Sequence, residues 1–168
     1  MEHGFIKAAA VTPKIRVADP SYNGEVICQG IREAYEKGAR ILVFPELCLT
    51  GYTCGDLFLQ ERLLEQAKKE LSEIISYSEG YEALIFVGLP IEKAGKLYNV
   101  AAVISDGELL AMIPKRNIPS YGEFYEGRHF MQGNQKAVGY LWEEKEIPFG
   151  TDILFRAEEL QGLVVGCE

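Results

Sequence analysis

The sequence predicts an α/β domain on a mixed sheet, and three observations carry that expectation. Short apolar runs at residues 5–11, 40–44 and 83–89 alternate with two amphipathic stretches, which is β-α-β-α-β order. Two further runs, 97–104 and 108–113, are separated by Ser105-Asp106-Gly107, a hairpin signal that makes the sheet mixed. The 168 residues, 48% hydrophobic and 25% charged, suffice for one packed core and contain no repeat or low-complexity stretch.

Each element has a local cause. The run 5–11 leads through a loop to Asp19-Pro20, an N-cap residue followed by proline at the first helical position, where its missing N–H is harmless. Val26, Ile27, Ile31, Ala34 and Tyr35 then recur at helical spacing, and Gly38 supplies a left-handed C-cap before the strand 40–44, which ends at Pro45-Glu46. Leu63, Leu64, Ala67, Leu71, Ile74 and Ile75 mark a second amphipathic helix, and the apolar run 83–89 reads as a strand buried on both faces. Between residues 114 and 138 periodicity gives way to polar and aromatic residues, the composition of a functional loop. Runs at 153–155 and 163–167 are two more strands. A buried-looking strand in an α/β fold needs a covering helix or a partner, so a chain ending on one reads as cut. With no Pro/Gly/Ser-rich linker, a single domain over residues 1–168, incomplete at its C-terminus, is expected.

Composition argues against several classes of function. Asp plus Glu outnumber Lys plus Arg by 25 to 17, and a charge of -8 repels a phosphate backbone, so no nucleic-acid partner is expected. Uncharged apolar runs fall far short of the ~20 residues that cross a bilayer. Residues 2–4 lack the basic start of a signal peptide, which predicts a cytoplasmic chain with no membrane partner. Cys28, Cys48, Cys54 and Cys167 form no CxxC pair and the histidines are His3 and His129, so a zinc site is not expected. The plainest account of each cysteine, Cys28 above all, is a free buried thiol.

Three places invite chemistry. Glu46 stands where a strand gives way to a loop, and ligands bind beyond the carboxyl ends of strands in α/β sheets. A glutamate there is also commonly just solvated or capping a turn. Lys115 opens the long loop directly after Pro114 and, in a dry site, would steady a developing oxyanion, although most loop lysines do no such thing. The loop Pro119-Ser-Tyr-Gly-Glu-Phe-Tyr-Glu-Gly-Arg-His-Phe130 mixes aromatics with Glu123, Glu126 and Arg128. It suits an aromatic wall around a small polar ligand such as an amino acid, and equally a rigid loop packed through Phe124 and Phe130 and pinned by ion pairs.

Taken in order, three segments resemble successive blocks of the nitrilase, or carbon-nitrogen hydrolase, superfamily. They are Phe44-Pro-Glu-Leu-Cys-Leu-Thr-Gly-Tyr52, Ile113-Pro-Lys-Arg-Asn-Ile-Pro-Ser-Tyr-Gly-Glu-Phe-Tyr-Glu126 and Gly162-Leu-Val-Val-Gly-Cys-Glu168. Within the superfamily, Gly51-Tyr52 followed by Cys54-Gly-Asp-Leu57, together with Tyr121-Gly-Glu-Phe-Tyr-Glu126, is most similar to the glutaminase domains of glutamine-dependent NAD synthetases. The resemblance implies an α-β-β-α sandwich, of which this chain is the front portion, and a Glu-Lys-Cys triad whose first two members match Glu46 and Lys115. It also implies that Tyr121 lines a pocket for L-glutamine, that Glu126 supports the triad, and that the parent is a homo-oligomer. The implied chemistry is acyl transfer through a thioester with release of ammonia, without a metal or organic cofactor. ATP would be used only by a synthetase domain, whose SGGxDS-like block is not found in this sequence.

The nucleophile is the point of tension. The subfamily block reads Gly-x-Glu-Ile-Cys-Glu-Asp, and aligning its first glutamate with Glu168 makes Cys167 a structural thiol, with the nucleophile two residues beyond Glu168. The shorter block Cys-x-Glu/Asp would make Cys167 the nucleophile but puts Gly166 where the family usually has a branched apolar residue. The first alignment is favoured, so the chain is expected to carry a base, a lysine and a substrate loop yet to be inactive as it stands. The competing accounts are another nitrilase-superfamily amidase, and a non-catalytic α/β binding module in which Glu46 and Lys115 do not converge. A Cys-His hydrolase pairing His129 with Cys54 or Cys167 lacks a nucleophile motif. Missing strands would leave sheet edges and apolar surface open, which predicts association or poor solubility.

Overall fold

The computed structural model describes residues 5–157 and 162–167; residues 2–4 and Glu168, on which the alignment of the third block turns, lie outside the described residues. Strands β1 (Ala8–Ala10), β2 (Ile41–Val43) and β3 (Leu84–Lys93) run parallel, connected by helices α1 (Pro20–Glu36) and α2 (Glu61–Tyr77). Strands β4 (Lys96–Ser105) and β5 (Glu108–Pro114) continue the sheet antiparallel, and a hairpin of β6 (Val138–Trp142) and β7 (Lys145–Phe149) completes the order β1-β2-β3-β4-β5-β7-β6. Strands β8 (Leu154–Arg156) and β9 (Val164–Gly166) pair antiparallel as a separate two-stranded sheet, so the partner that β9 requires is β8.

The helix signals hold in detail. Asp19 accepts a hydrogen bond from the Tyr22 backbone N–H at 3.2 Å with Pro20 opening the helix, and Gly38 follows the C-cap with φ of 86°. Ile27 and Ile31 are fully buried, as are Ala67, Leu71 and Ile74 of α2. Each Leu or Ile so buried stabilises the fold by about 1.5–3 kcal/mol.

The β-structure exceeds what the sequence predicts in two places. Strand β3 runs on through Pro90 to Lys93, and its hairpin to β4 turns at Ala94-Gly95 with φ of 50° and 71°. Residues 90–93 look like a break in the sequence because their strand character comes from pairing with residues 96–99, not from an apolar run. Strands β6 and β7 bury only every second residue, Tyr140 and Trp142, then Ile147 and Phe149, so no continuous apolar run announces them. The hairpin between β4 and β5 turns as predicted at Asp106-Gly107, with φ of 45° and 75°.

Alternation along the strands sorts the core into layers. Leu42, Ile85, Val87, Leu89, Ala102 and Ile104 face the helices. Their neighbours Phe86, Val103, Ala111 and Ile113 form a second cluster on the opposite face, where Phe155 and Val165 of the small sheet pack. Among the described residues the layers are therefore helices, large sheet and small sheet, an α-β-β stack.

Candidate active site

The candidate catalytic side chains belong to the face of the large sheet turned away from the helices. Val43, Gly88, Asn99, Ala101 and Ile113 line one side of a cavity of about 320 Å³, and Val165 to Cys167 line the other. Glu46 reaches this cavity from a tight turn after β2. The Phe44 N–H donates to the Phe86 carbonyl at 3.0 Å and the Leu49 N–H to the Gly88 carbonyl at 3.1 Å, holding the turn against β3. Leu47, Cys48 and Leu49 are fully buried beneath Glu46, and Leu47 sits in the left-handed region at φ of 51°. Gly88 permits this approach: a Cβ there would lie 2.5 Å from the Leu47 nitrogen and 2.6 Å from the Pro45 carbonyl oxygen.

Lys115 leaves β5 with its N–H donating to the Asn99 carbonyl at 2.8 Å and its own carbonyl accepting from the Gly133 N–H at 2.9 Å. Its Nζ donates to Glu46 Oε1 at 2.9 Å, to Glu46 Oε2 at 3.0 Å and to Glu126 Oε1 at 2.9 Å. Three donors meet three carboxylate contacts. Burial pulls the Lys115 pKa down, but the bonds to Glu126 and Glu46 outweigh it and leave it raised, so the ammonium stays charged. Glu126 is buried on a single 3-10 turn, with Tyr52 Oη donating to its Oε1 at 2.8 Å. Burial, reinforced by this bond, pushes the Tyr52 pKa up, so the phenol remains a donor. The other Glu126 oxygen, Oε2, is buried without a hydrogen-bond partner among the described residues. Asn99 donates its side-chain amide to Glu46 Oε1.

Of the residues singled out from sequence, Glu46, Lys115 and Glu126 converge. Tyr121 lies outside their hydrogen-bonded cluster, 73% exposed and edge-on to Phe124 at 5.9 Å, lining a neighbouring cavity of about 470 Å³ that Lys115 also borders. Cys167 is half-buried on the wall of the first cavity, and burial alone raises its pKa. His129 bonds Asp56 at 3.1 Å and Cys54 donates to the Thr50 carbonyl at 3.1 Å, so neither makes a Cys-His pair. The aromatic loop is packed and ion-paired in its second half. Phe130 is buried edge-on to Phe58 at 5.0 Å and Arg128 is paired with Asp56 at 2.9 Å, whereas Tyr121 and Tyr125 stand in the open.

Sequence reasoning missed Asn99, although a lone amide within the apolar run 97–104 was a usable signal: burying it costs free energy unless it is bonded. Tyr52 entered only as part of a quoted block, with no role. Among the described residues there is no group of three or more His, Cys, Asp or Glu able to hold a metal ion, and no helix long and apolar enough to cross a membrane.

The fold and the ordered blocks have a counterpart. The carbon-nitrogen hydrolase profile matches residues 7–154, and the chain belongs to that family. More particularly, it is 35% identical over 167 residues to the glutamine-dependent NAD(+) synthetase of Mycobacterium tuberculosis, covering 99% of this chain and 25% of that protein. It is 40% identical over 119 residues to the enzyme of the same name from Aquifex aeolicus, covering 71% of this chain and 21% of that one. The crystal structure of a glutamine-dependent NAD(+) synthetase from Cytophaga hutchinsonii superposes with a TM-score of 0.87 at 28% identity, over 96% of this chain and 27% of that one. An amidase from Nesterenkonia sp. shares the fold at a TM-score of 0.65 and 24% identity, over 88% of this chain and 56% of that one. The chain spans about a quarter of the length of the curated synthetases it matches along its whole extent.

Proposed function

We propose that this chain is the front part of an amide-hydrolysing domain that acts on the side-chain amide of glutamine and supplies ammonia for NAD synthesis in a longer polypeptide. The observation that carries this reading is the ion pair of Glu46 with Lys115 at 2.9 Å on the wall of a cavity, backed by Glu126. A non-catalytic module gives no reason for a lysine and two carboxylates to meet there. The likeness to glutamine-dependent NAD synthetases supports glutamine over other amides.

In this reading Glu46 takes the proton of a cysteine thiol as the sulfur attacks the glutamine side-chain carbonyl, and Lys115 steadies the oxyanion. The C–N bond breaks, the proton on Glu46 goes to the departing nitrogen, and a thioester remains. Water, deprotonated by the same glutamate, attacks the thioester, the C–S bond breaks and the proton on Glu46 returns to the departing sulfur, so glutamine and water become glutamate and ammonia. Carboxylate, ammonium and thiol suffice for these steps without a cofactor, and ATP serves a synthetase domain elsewhere in the polypeptide. Tyr121 contributes to the glutamine pocket and Glu126 holds the Lys115 charge.

Cys167 is a structural thiol in this scheme. The scheme needs a thiol that hands its proton to Glu46, whereas Cys167 makes no hydrogen bond to Glu46 or Lys115 although it lines the same cavity, and burial raises its pKa. The nucleophile is then a cysteine beyond Glu168 in the longer polypeptide, and the isolated chain is inactive. The parent is read as a cytoplasmic homo-oligomer without a membrane partner, and the charge of -8 on these 168 residues argues against nucleic acid as a partner of this portion.

Ammonia release by the full-length polypeptide, compared across L-glutamine, L-asparagine and simple aliphatic amides, tests the reading. Glutamine should be preferred, and Glu46→Gln should lower kcat by about 100- to 10,000-fold. Faster hydrolysis of simple aliphatic amides would move the assignment to another amidase of the family. A diazoketone analogue of glutamine should leave Cys167 of the 168-residue chain unlabelled. Glutamine-protected labelling there would make Cys167 the nucleophile.

A further inference from the structure

Asn99 is 3% exposed within β4, between Tyr98 and Val100, both also buried. Alternation places it with Ala101 and Val103 on the cavity face, where an apolar residue would fill the same space. A polar amide is costly to bury without a partner, and the hydrogen-bond partner of this one is Glu46. Its backbone carbonyl meanwhile accepts from the Lys115 N–H at 2.8 Å, so one residue holds both members of the ion pair, one through its side chain and one through its backbone.

We propose that Asn99 is the positioning residue for the base, and that it determines which Glu46 oxygen takes the proton. This deepens the amidase reading and rests on Glu46 being its base. A carboxylate oxygen offers roughly two lone-pair sites in the plane of the group. Glu46 Oε1 uses both, one for the Asn99 amide and one for Lys115 Nζ, while Oε2, among the described residues, accepts from Lys115 alone at 3.0 Å. Oε2 therefore keeps a free site, and the Glu46 side chain is 39% exposed, open to an incoming proton donor. Lysine alone would not select an oxygen, since it bridges both at nearly equal distance. Asn99 is also a donor that carries no charge at any working pH, so it orients the carboxylate without adding a second cation to the site.

Two variants and two readouts test this. In the full-length polypeptide, Asn99→Ala should lower kcat for glutamine about 10- to 100-fold with KM little changed, because a misaimed base slows chemistry more than binding. Losing a hydrogen bond that favours the charged form should also move the acidic limb of kcat/KM to higher pH. Asn99→Asp should move that limb further, since two carboxylates then share the site. Matched thermal melting of each variant with the wild type controls for folding. The second readout is independent of turnover: in the 168-residue chain labelled with 13C at glutamate side chains, the Glu46 carboxyl signal at one fixed neutral pH should move between the wild type and Asn99→Ala. A variant that melts normally and keeps both its acidic limb and its Glu46 carboxyl signal overturns the proposal. A wild-type enzyme that releases no ammonia from any amide overturns the amidase reading and with it the assignment of Oε2 as proton acceptor, while the carboxyl signal still decides whether Asn99 governs Glu46.

Discussion

Lys115 touches two carboxylates that differ sharply in their surroundings. The Glu46 side chain is 39% exposed, but Glu126 is 5% exposed, and without Lys115 its charge would rest, among the described residues, on Tyr52 alone. Removing one partner of a buried ion pair costs about 3–5 kcal/mol. Because the Lys115 side chain is itself 27% exposed, Lys115→Met should cost less, about 2 kcal/mol at neutral pH, in urea denaturation. The sign of the pH dependence follows from the raised lysine pKa. The stabilisation is complete below the ordinary lysine value of about 10.4 and is lost as pH climbs through the higher folded value. The gap between wild type and Lys115→Met should accordingly be constant from pH 6 to about 9 and narrow above about 10.5. An unchanged gap at high pH would mean that Lys115 does not stabilise through its charge. At Gly88 the effect is steric. Gly88→Ala forces the Pro45–Leu47 backbone away from β3, with an overpacking cost of about 1–3 kcal/mol. Displacing Glu46 by an ångström should lower ammonia release by about 100-fold, and more than the loss of stability explains. Alanine at 88 with wild-type turnover would show that the turn is not what places Glu46.

At the level of elements, the hairpin between β3 and β4 carries a local flaw that can be repaired. Its two turn residues both need the left-handed region, and Ala94 occupies it at φ of 50° beside Gly95 at 71°. Alanine is strained there whereas asparagine tolerates it, so Ala94→Asn should raise stability by about 0.5 kcal/mol. The test is a shift in denaturation midpoint at constant m-value, and a lower midpoint would contradict it. The same hairpin shows why some of the fold was legible and some not. Helix α1 could be read from Asp19-Pro20, its apolar stripe and Gly38 because each acts within a turn or two of itself. The end of β3 could not, since Pro90 to Lys93 become strand only through partners across the turn. The site divides in the same way. Alternation puts Gly88, Asn99 and Ile113 on one face by local rules. The meeting of Glu46 with Lys115, 69 residues apart in the chain, needs the whole sheet, and was anticipated only through resemblance to a family.

For the whole molecule, the two faces of the large sheet are covered unequally. Two full helices seal one face. The other is padded by the two-stranded sheet of β8 and β9, where Phe155 meets Phe86 edge-on at 6.1 Å, and Val43, Leu154 and Val164 remain 46%, 71% and 49% exposed. Apolar surface of this kind favours association between copies, so sedimentation of the isolated chain should show concentration-dependent self-association. The same pad walls the cavity onto which Glu46 and Lys115 open, because Val165 and Gly166 of β9 and the following Cys167 line it. Loosening the pad should therefore expose Cys167 before it disturbs the helical side of the core. Phe155→Ala removes the ring that anchors β8, and should speed alkylation of Cys167 by a small maleimide while Cys48, fully buried beside the Glu46 turn, stays unreactive. Parallel acceleration at both thiols would instead mean global unfolding. No acceleration at either would mean that the small sheet is held by something other than Phe155, and that the cavity wall is firmer than its two strands alone make it.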